Sequence, residues 1–117
     1  MRRKLLSVLV LFGMLLSAVA AAASPEQIER GRYLARAGNC AGCHTAPGGA
    51  DFAGGRAVHS PFGPFYAPNI TADLDTGIGR WSVEQFRQAL QRGRRPDGSA
   101  LYPVCPYPNF TRVHAAD

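Results

Sequence analysis

The feature that most constrains this chain is the run Cys40-Ala-Gly-Cys43-His44. Two cysteines three positions apart place their sulfur atoms about one helical turn from each other, and a histidine follows directly after the second. Such a pair can bond at two points to a flat prosthetic group while the imidazole approaches the centre of that group. A small domain built around a large ligand needs less of a conventional core. The run therefore restricts which folds are possible as well as which chemistry.

The spacing is typical of covalent haem attachment. In that arrangement Cys40 and Cys43 form thioethers with the two haem vinyl groups, and His44 is the proximal ligand of the iron. Because the motif occurs once in the sequence, we expect one haem c.

Three other interpretations use the same residues. A redox pair of thioredoxin type requires a β-α-β setting, which the sequence does not show. A structural zinc site needs four ligands, and Cys105 would have to join Cys40, Cys43 and His44. Two of those ligands are adjacent in the chain, which is awkward for a tetrahedral ion. A simple disulfide between Cys40 and Cys43 is the third interpretation, and the histidine after the second cysteine favours haem over all of them.

Residues 1–23 have the pattern of an export signal. Residues 1–4 are basic at three positions, residues 5–23 are almost wholly apolar, and residues 21–23 are the small residues that a signal peptidase accepts. The apolar run is also long enough for an uncleaved membrane anchor. Either interpretation places the remaining domain, residues 24–117, outside the cytoplasm, with membrane association in the second case.

Size and charge exclude several classes of protein. A chain of 117 residues has room for one small domain after the leader, which excludes a two-domain enzyme and a protein with several membrane spans. Three of the 13 basic residues lie in the leader, so ten arginines stand against eight acidic residues in the rest. The net charge of +5 therefore partly describes the leader and gives no argument for nucleic-acid binding.

Two helices are indicated by their capping residues. Residues 24–27, Ser-Pro-Glu-Gln, combine a serine cap, a proline at the first helical position and a capping box, and predict a helix that ends near Gly38. Residues 82–85 repeat the capping box before a helix that we expect to end at Gly93. Gly31 in the first helix costs about 1 kcal/mol relative to alanine, so we expect another backbone to approach it closely.

The apolar residues suggest what surrounds the second helix. Its expected buried stripe is Phe86, Ala89 and Leu90. Residues 45–79 are rich in glycine, proline and aspartate without a sustained period, which predicts loops folded over a large apolar ligand. The aromatic residues expected to line that crevice are Phe62, Phe65 and Tyr66.

Short segments throughout residues 24–117 carry a family resemblance. They are Gly31-Arg-Tyr-Leu-Ala35, Cys40 to Gly49, Phe52-Ala-Gly-Gly55, Pro61-Phe-Gly63, Pro68-Asn-Ile-Thr71, Thr76-Gly-Ile-Gly79, Trp81-Ser82, Asp97-Gly98, Leu101-Tyr-Pro103 and Pro106-Tyr-Pro108. With these segments the sequence resembles class I c-type cytochromes. It is most similar to the cytochrome subunits and domains of bacterial periplasmic dehydrogenases for alcohols, aldehydes, sugar acids and N-heterocycles.

The resemblance implies a fold and a function. The fold is all-α and cytochrome c-like, with long loops wrapped around the haem. The function is one-electron transfer without turnover of a substrate, with a periplasmic dehydrogenase as electron donor. The acceptor is an oxidase, a quinone-linked protein or another cytochrome. A five-coordinate haem protein that binds small ligands or peroxide is an alternative from a different class, and a nonfunctional truncated fragment is a third.

The sequence departs from the family at the second face of the iron. Residues 24–117 contain no methionine, and Cys105 stands where the family has the methionine that ligates the iron. Cys105 is therefore the first candidate for the sixth ligand, and His59, His114, water or an open site are the others. A thiolate favours ferric iron, so we expect a lower potential than in a relative with methionine. Cys105 can also be a small buried replacement in a decaying gene.

A second departure concerns the end of the chain. The family continues into a C-terminal helix that crosses the first helix, and this chain ends at Asp117, where that helix would begin. We therefore expect the C-terminal helix to be missing and the face of the first helix that carries Gly31 and Leu34 to lack its partner.

Overall fold

The structure, a computed structural model, describes residues 22–104, 106–114 and 116–117. Within these residues it is mostly helical, with one small hairpin. The elements are helices α1 (Pro25–Ala37), α2 (Cys40–His44) and α3 (Val83–Arg92), strands β1 (Ala57–Ser60) and β2 (Gly63–Tyr66), and a 3₁₀ helix (Tyr107–Phe110). The predicted leader lies outside the described residues except at its last two positions, and Cys105 lies outside them as well.

Both predicted capping boxes are present. At the start of α1, the Ser24 hydroxyl accepts a hydrogen bond from the Gln27 backbone N–H, and the Gln27 side chain accepts one from the Ser24 N–H. Ser82 and Gln85 make the same pair of bonds at the start of α3. These bonds satisfy backbone donors that have no partner within the first helical turn. The predicted starts of both helices are confirmed.

Gly93 ends α3 as expected and also seats the 3₁₀ helix. Its backbone is left-handed, with φ of 62°, which glycine adopts without steric cost. A Cβ at this position would lie 2.6 Å from the ring of Tyr107. The Gly93 carbonyl accepts a hydrogen bond from the Leu101 N–H at 2.7 Å. The end of α3 therefore holds two later segments of the chain against the helix.

The expectation for Gly31 is wrong within the described residues. A Cβ on Gly31 would meet no atom within 4 Å, and Ile28 on the same helix is 51% exposed. No residue of α1 is buried. The helix instead contacts the adjoining α2 and forms an ion pair between Arg30 and Asp117. Its capping box and these contacts hold α1, and its apolar face remains at the surface.

The hairpin within residues 45–79 is a finding that the all-α prediction missed. Its strands pair antiparallel with Ala57 opposite Tyr66 and Ser60 opposite Gly63. The Ser60 hydroxyl donates to the Gly63 carbonyl at 2.8 Å and closes the turn. Each strand is four residues long, which is too short for an alternating apolar pattern to stand out in the sequence.

The stripe of α3 is only partly buried. Ala89 is 8% exposed, whereas Phe86 is 44% exposed. Both side chains, together with Leu90, line a cavity, and this accounts for the exposure of Phe86. Within the described part of the chain, no helix is long and apolar enough to span a membrane.

Candidate haem site

Helix α2 carries the three residues that the sequence singles out most strongly. Asn39 precedes it in a left-handed conformation, with φ of 53°, which asparagine tolerates better than most residues and which turns the chain from α1 into α2. Cys40, Cys43 and His44 are all half-buried and all line the same cavity. The structure therefore brings the two sulfur atoms and the imidazole together on one short helix at one cavity wall.

The cavity has a volume of about 350 Å³, which is within the range of ligand-binding sites. Its walls come from α2, both strands, α3 and the segments around the 3₁₀ helix, and most of the lining side chains are apolar. Among them are Val58, Phe65, Ile70, Ile78, Trp81, Phe86, Leu90, Leu101, Val104 and Phe110. Such a lining suits a flat apolar ligand.

Two of the three aromatic residues predicted to line the crevice do line the cavity. Phe65 and Tyr66 line the cavity, and the Phe65 ring stacks on Tyr102 at 4.1 Å between centroids and 11° between planes. The expectation for Phe62 is wrong, because Phe62 lies in the hairpin turn and is 83% exposed.

The imidazole of His44 is oriented by a backbone carbonyl. Its Nδ1 atom lies 2.8 Å from the Pro68 carbonyl oxygen. A carbonyl only accepts hydrogen bonds, so Nδ1 carries a proton, and in the neutral ring Nε2 then keeps its lone pair. Metal-ligating histidines make a hydrogen bond of this kind with the ring nitrogen that does not bind the metal. His44 therefore has the tautomer that an iron ligand needs.

Backbone hydrogen bonds tie the Pro68 segment to the α2 helix. The Gly54 N–H donates to the His44 carbonyl at 2.7 Å, and the Gly55 N–H donates to the Ala67 carbonyl at 2.8 Å. The Ile70 N–H donates to the Phe52 carbonyl at 2.9 Å. Sequence reasoning missed Pro68 and Gly54 as site residues. It had no side-chain signal for them, because both act through main-chain atoms.

The two histidine candidates for the second face of the iron do not line the cavity. His59 lies on β1 and His114 lies after the 3₁₀ helix, and both are exposed and outside the cavity lining. Cys105 lies outside the described residues, and its neighbours Val104 and Pro106 both line the cavity.

The environment of Cys40 differs from that of a reactive thiol pair. Burial raises the pKa of the Cys40 thiol, and the nearby Cys43 raises that pKa further, against a backbone hydrogen bond that lowers it. Redox pairs of thioredoxin type have lowered thiol pKa values. Among the residues that the structure describes, no three His, Cys, Asp or Glu side chains converge on a point that could hold a metal ion. The raised pKa of the Cys40 thiol therefore speaks against a redox pair of thioredoxin type.

A Cys-x-x-Cys-His helix at the wall of an apolar cavity, with the histidine tautomer fixed by a carbonyl, is the arrangement of a c-type cytochrome. No family model matches the chain. Known proteins do. A nicotinate dehydrogenase subunit of Pseudomonas putida is 50% identical over 94 residues, which is 80% of this chain and 8% of that protein.

Two further relatives have comparable identity over a comparable share of this chain. The cytochrome c subunit of alcohol dehydrogenase (quinone) of Gluconobacter oxydans is 47% identical over 90 residues, or 77% of this chain and 19% of the relative. The gluconate 2-dehydrogenase cytochrome c subunit of Pantoea cypripedii is 44% identical over 95 residues, or 81% and 22%. The chain is therefore homologous to cytochrome c subunits of bacterial dehydrogenases, and it spans less than a quarter of the length of these relatives.

This homology implies covalently attached haem c, and the residues present fit that group. Two half-buried cysteines and a histidine with a free Nε2 stand at the wall of an apolar cavity. Arg95 adds a guanidinium to the lining, where its Nη1 donates to the Ala100 carbonyl at 3.2 Å.

Proposed function

We propose that this chain is a single-haem c-type cytochrome module of the periplasm. It accepts electrons singly from a dehydrogenase and passes them to an oxidase, a quinone-linked protein or another cytochrome. The observation that carries the proposal is the His44 imidazole, held by the Pro68 carbonyl with Nε2 free, on the same short helix as the two cysteines.

Each residue has a defined part in this proposal. When bound, haem c supplies a one-electron iron couple. Cys40 and Cys43 hold the porphyrin through thioethers, and His44 Nε2 ligates the iron. The apolar lining excludes water, which is one of the factors that set the potential of a haem. Arg95 pairs with a propionate, since guanidinium groups bind carboxylates through two parallel hydrogen bonds.

The dehydrogenase partner is inferred from the names of the relatives and the export pattern of residues 1–23. Those relatives are subunits of nicotinate, alcohol and gluconate dehydrogenases. An export signal at residues 1–23 would direct the domain to the compartment where such a donor would meet it. Net charge outside the leader is small, so apolar contact at the haem edge is expected to matter as much as charge in this docking.

Expression with a haem-maturation system tests the proposal directly. The chain should carry one haem, measured by mass and by its absorbance as a pyridine complex, and Cys40→Ala/Cys43→Ala should carry none. A dehydrogenase of the kind named above, with its substrate, should reduce the ferric form, and the substrate alone should not. A colourless chain, or two haems on one chain, would contradict the proposal.

A second candidate function rests on the second face of the iron. Residues 24–117 lack methionine, and His59 and His114 lie away from the cavity, which favours a five-coordinate haem that binds small ligands. Carbon monoxide binding to the reduced protein separates the two candidates. Slow binding that becomes fast in Cys105→Ala, together with a rise in potential, supports Cys105 as sixth ligand. Fast binding in both proteins supports the open site.

A further inference from the structure

Gly54 occupies a position where the main chain approaches itself very closely. Its backbone is left-handed, with φ of +79°, and the residue is buried. A Cβ at Gly54 would lie 2.6 Å from the Ala67 carbonyl oxygen, the Asn69 nitrogen and the Pro68 carbonyl carbon. All three atoms belong to backbone, so no side-chain rotation can relieve the conflict.

The same residue also contacts the histidine segment. The Gly54 N–H donates to the His44 carbonyl at 2.7 Å, and residues 45 and 54 form an isolated bridge. On its other side Gly54 lies against the Pro68 peptide, whose carbonyl accepts from His44 Nδ1 at 2.8 Å. Gly54 is thus seated between the main chain of the iron ligand and the peptide that orients its ring.

We infer that Gly54 is a positioning residue that sets the separation between the Pro68 carbonyl and the imidazole of His44. The inference rests on the proposed function, because it assigns His44 to the iron. A side chain at position 54 would push the Pro68 peptide away from α2. The hydrogen bond to Nδ1 would then lengthen or break while the ligand itself remained.

The hydrogen bond at Nδ1 has a measurable effect on the iron. A carbonyl that accepts from Nδ1 raises the basicity of the ring, and a more basic ligand stabilises ferric iron. Weakening the bond should therefore stabilise ferrous iron and raise the midpoint potential. A substitution that only destabilised the fold would leave this hydrogen bond in place and would not raise the midpoint potential through it.

The test compares Gly54→Ala with Gly48→Ala in the haem-loaded full chain. Both glycines are left-handed, with φ of +79° and +71°, but a Cβ at Gly48 would meet nothing within 4 Å. Thioethers hold the porphyrin independently of His44, so both variants keep their haem. Gly54→Ala should shift the reduction equilibrium at least tenfold toward the ferrous form, about 59 mV. Gly48→Ala should shift it less than twofold.

Equal potentials in the two variants and the unmodified protein would overturn the inference. A measurement on the unmodified protein guards against a variant that does not fold. The Gly54 amide should exchange with deuterated water at least tenfold more slowly than the Gly98 amide, which is bonded in an exposed turn at 2.9 Å. Equally fast exchange would also overturn the inference. If the unmodified protein holds no haem at all, the proposed function fails instead.

Discussion

In the proposed haem site, His44 shows how little of the geometry needs to be specified by side chains. The motif places the imidazole next to two cysteines, but the orientation of the ring comes from the carbonyl of Pro68, 24 positions later in the chain. One hydrogen bond therefore fixes both the tautomer and the direction of Nε2.

Replacing His44 with alanine should remove the proximal ligand while leaving the haem attached. We expect a changed absorption spectrum and a potential that no longer responds to Gly54→Ala. His59→Ala is the matched control, because His59 is exposed on β1 and does not line the cavity. It should leave the spectrum and the potential unchanged. Absorption spectroscopy and redox titration of both variants provide the measurement, and a spectral change in His59→Ala would assign the iron a different ligand.

The sequence singles out the residues proposed to bond to the cofactor far better than the residues that orient them. Cys40, Cys43 and His44 are recognisable because their chemistry resides in their side chains at fixed spacing. Pro68 and Gly54 contribute a carbonyl and an N–H, which every residue of their kind possesses. For Phe62, Phe65 and Tyr66 the sequence gives the residue type without the direction of the side chain, which is why the prediction for Phe62 is wrong.

Helices α1 and α3 begin with the same capping box but differ in what they support. Capping residues act locally, so both helix starts could be predicted from the sequence. The difference lies in packing, which the sequence shows poorly. Helix α3 presents Phe86, Ala89 and Leu90 to the cavity, whereas no residue of α1 is buried.

This difference predicts unequal effects of removing the two caps. Ser82→Ala should lower the free energy of unfolding by about 1 kcal/mol, the usual cost of losing a serine cap. Ser24→Ala should lower it much less, because α1 can fray locally without opening the cavity. Urea denaturation of the two haem-loaded variants measures both values. Equal losses would show that α1 unfolds together with the rest of the domain.

A carboxylate in the first turn of α3 also makes the stability of the domain depend on pH in the acid range. Hydrogen bonds from Arg87 and Gln88 lower the pKa of Glu84 from its ordinary value of 4.5 to about 2. A lowered pKa in the folded state stabilises the fold above pH 4.5, and that contribution is lost as the pH falls toward 2. Glu84→Gln should therefore be less stable than the unmodified protein at pH 6, and the difference should shrink as the pH falls.

Urea denaturation at a series of pH values between 6 and about 2 measures this dependence. Glu29→Gln is the control, since the Glu29 carboxylate is exposed and lies 3.6 Å from Arg32. It should lower the stability at pH 6 much less than Glu84→Gln does. A constant difference between Glu84→Gln and the unmodified protein over this range would contradict the assignment to the Glu84 carboxylate.

For the molecule as a whole, the arrangement of apolar side chains explains the reliance on a bound group. Among the described residues Ala89, at 8% exposed, is the one buried apolar side chain, and large residues such as Phe86 and Tyr102 remain over 40% exposed. Apolar side chains surround the cavity more than they cover one another, so little apolar area is removed from water by the polypeptide alone. Stability must then come largely from contacts with whatever fills the cavity.

We therefore expect the haem-free chain to lack a cooperative unfolding transition. Cys40→Ala/Cys43→Ala removes both thioether anchors, and its thermal denaturation, followed by circular dichroism, should be broad and shallow. Cys105→Ala keeps both anchors and should still unfold in a sharp transition. Binding free energy for the cofactor acts as folding free energy in a domain of this kind, because the site is not formed in the unfolded chain. A sharp transition in the doubly substituted chain would mean that the polypeptide closes its own core, and α3 would then have to bury Phe86 against other side chains.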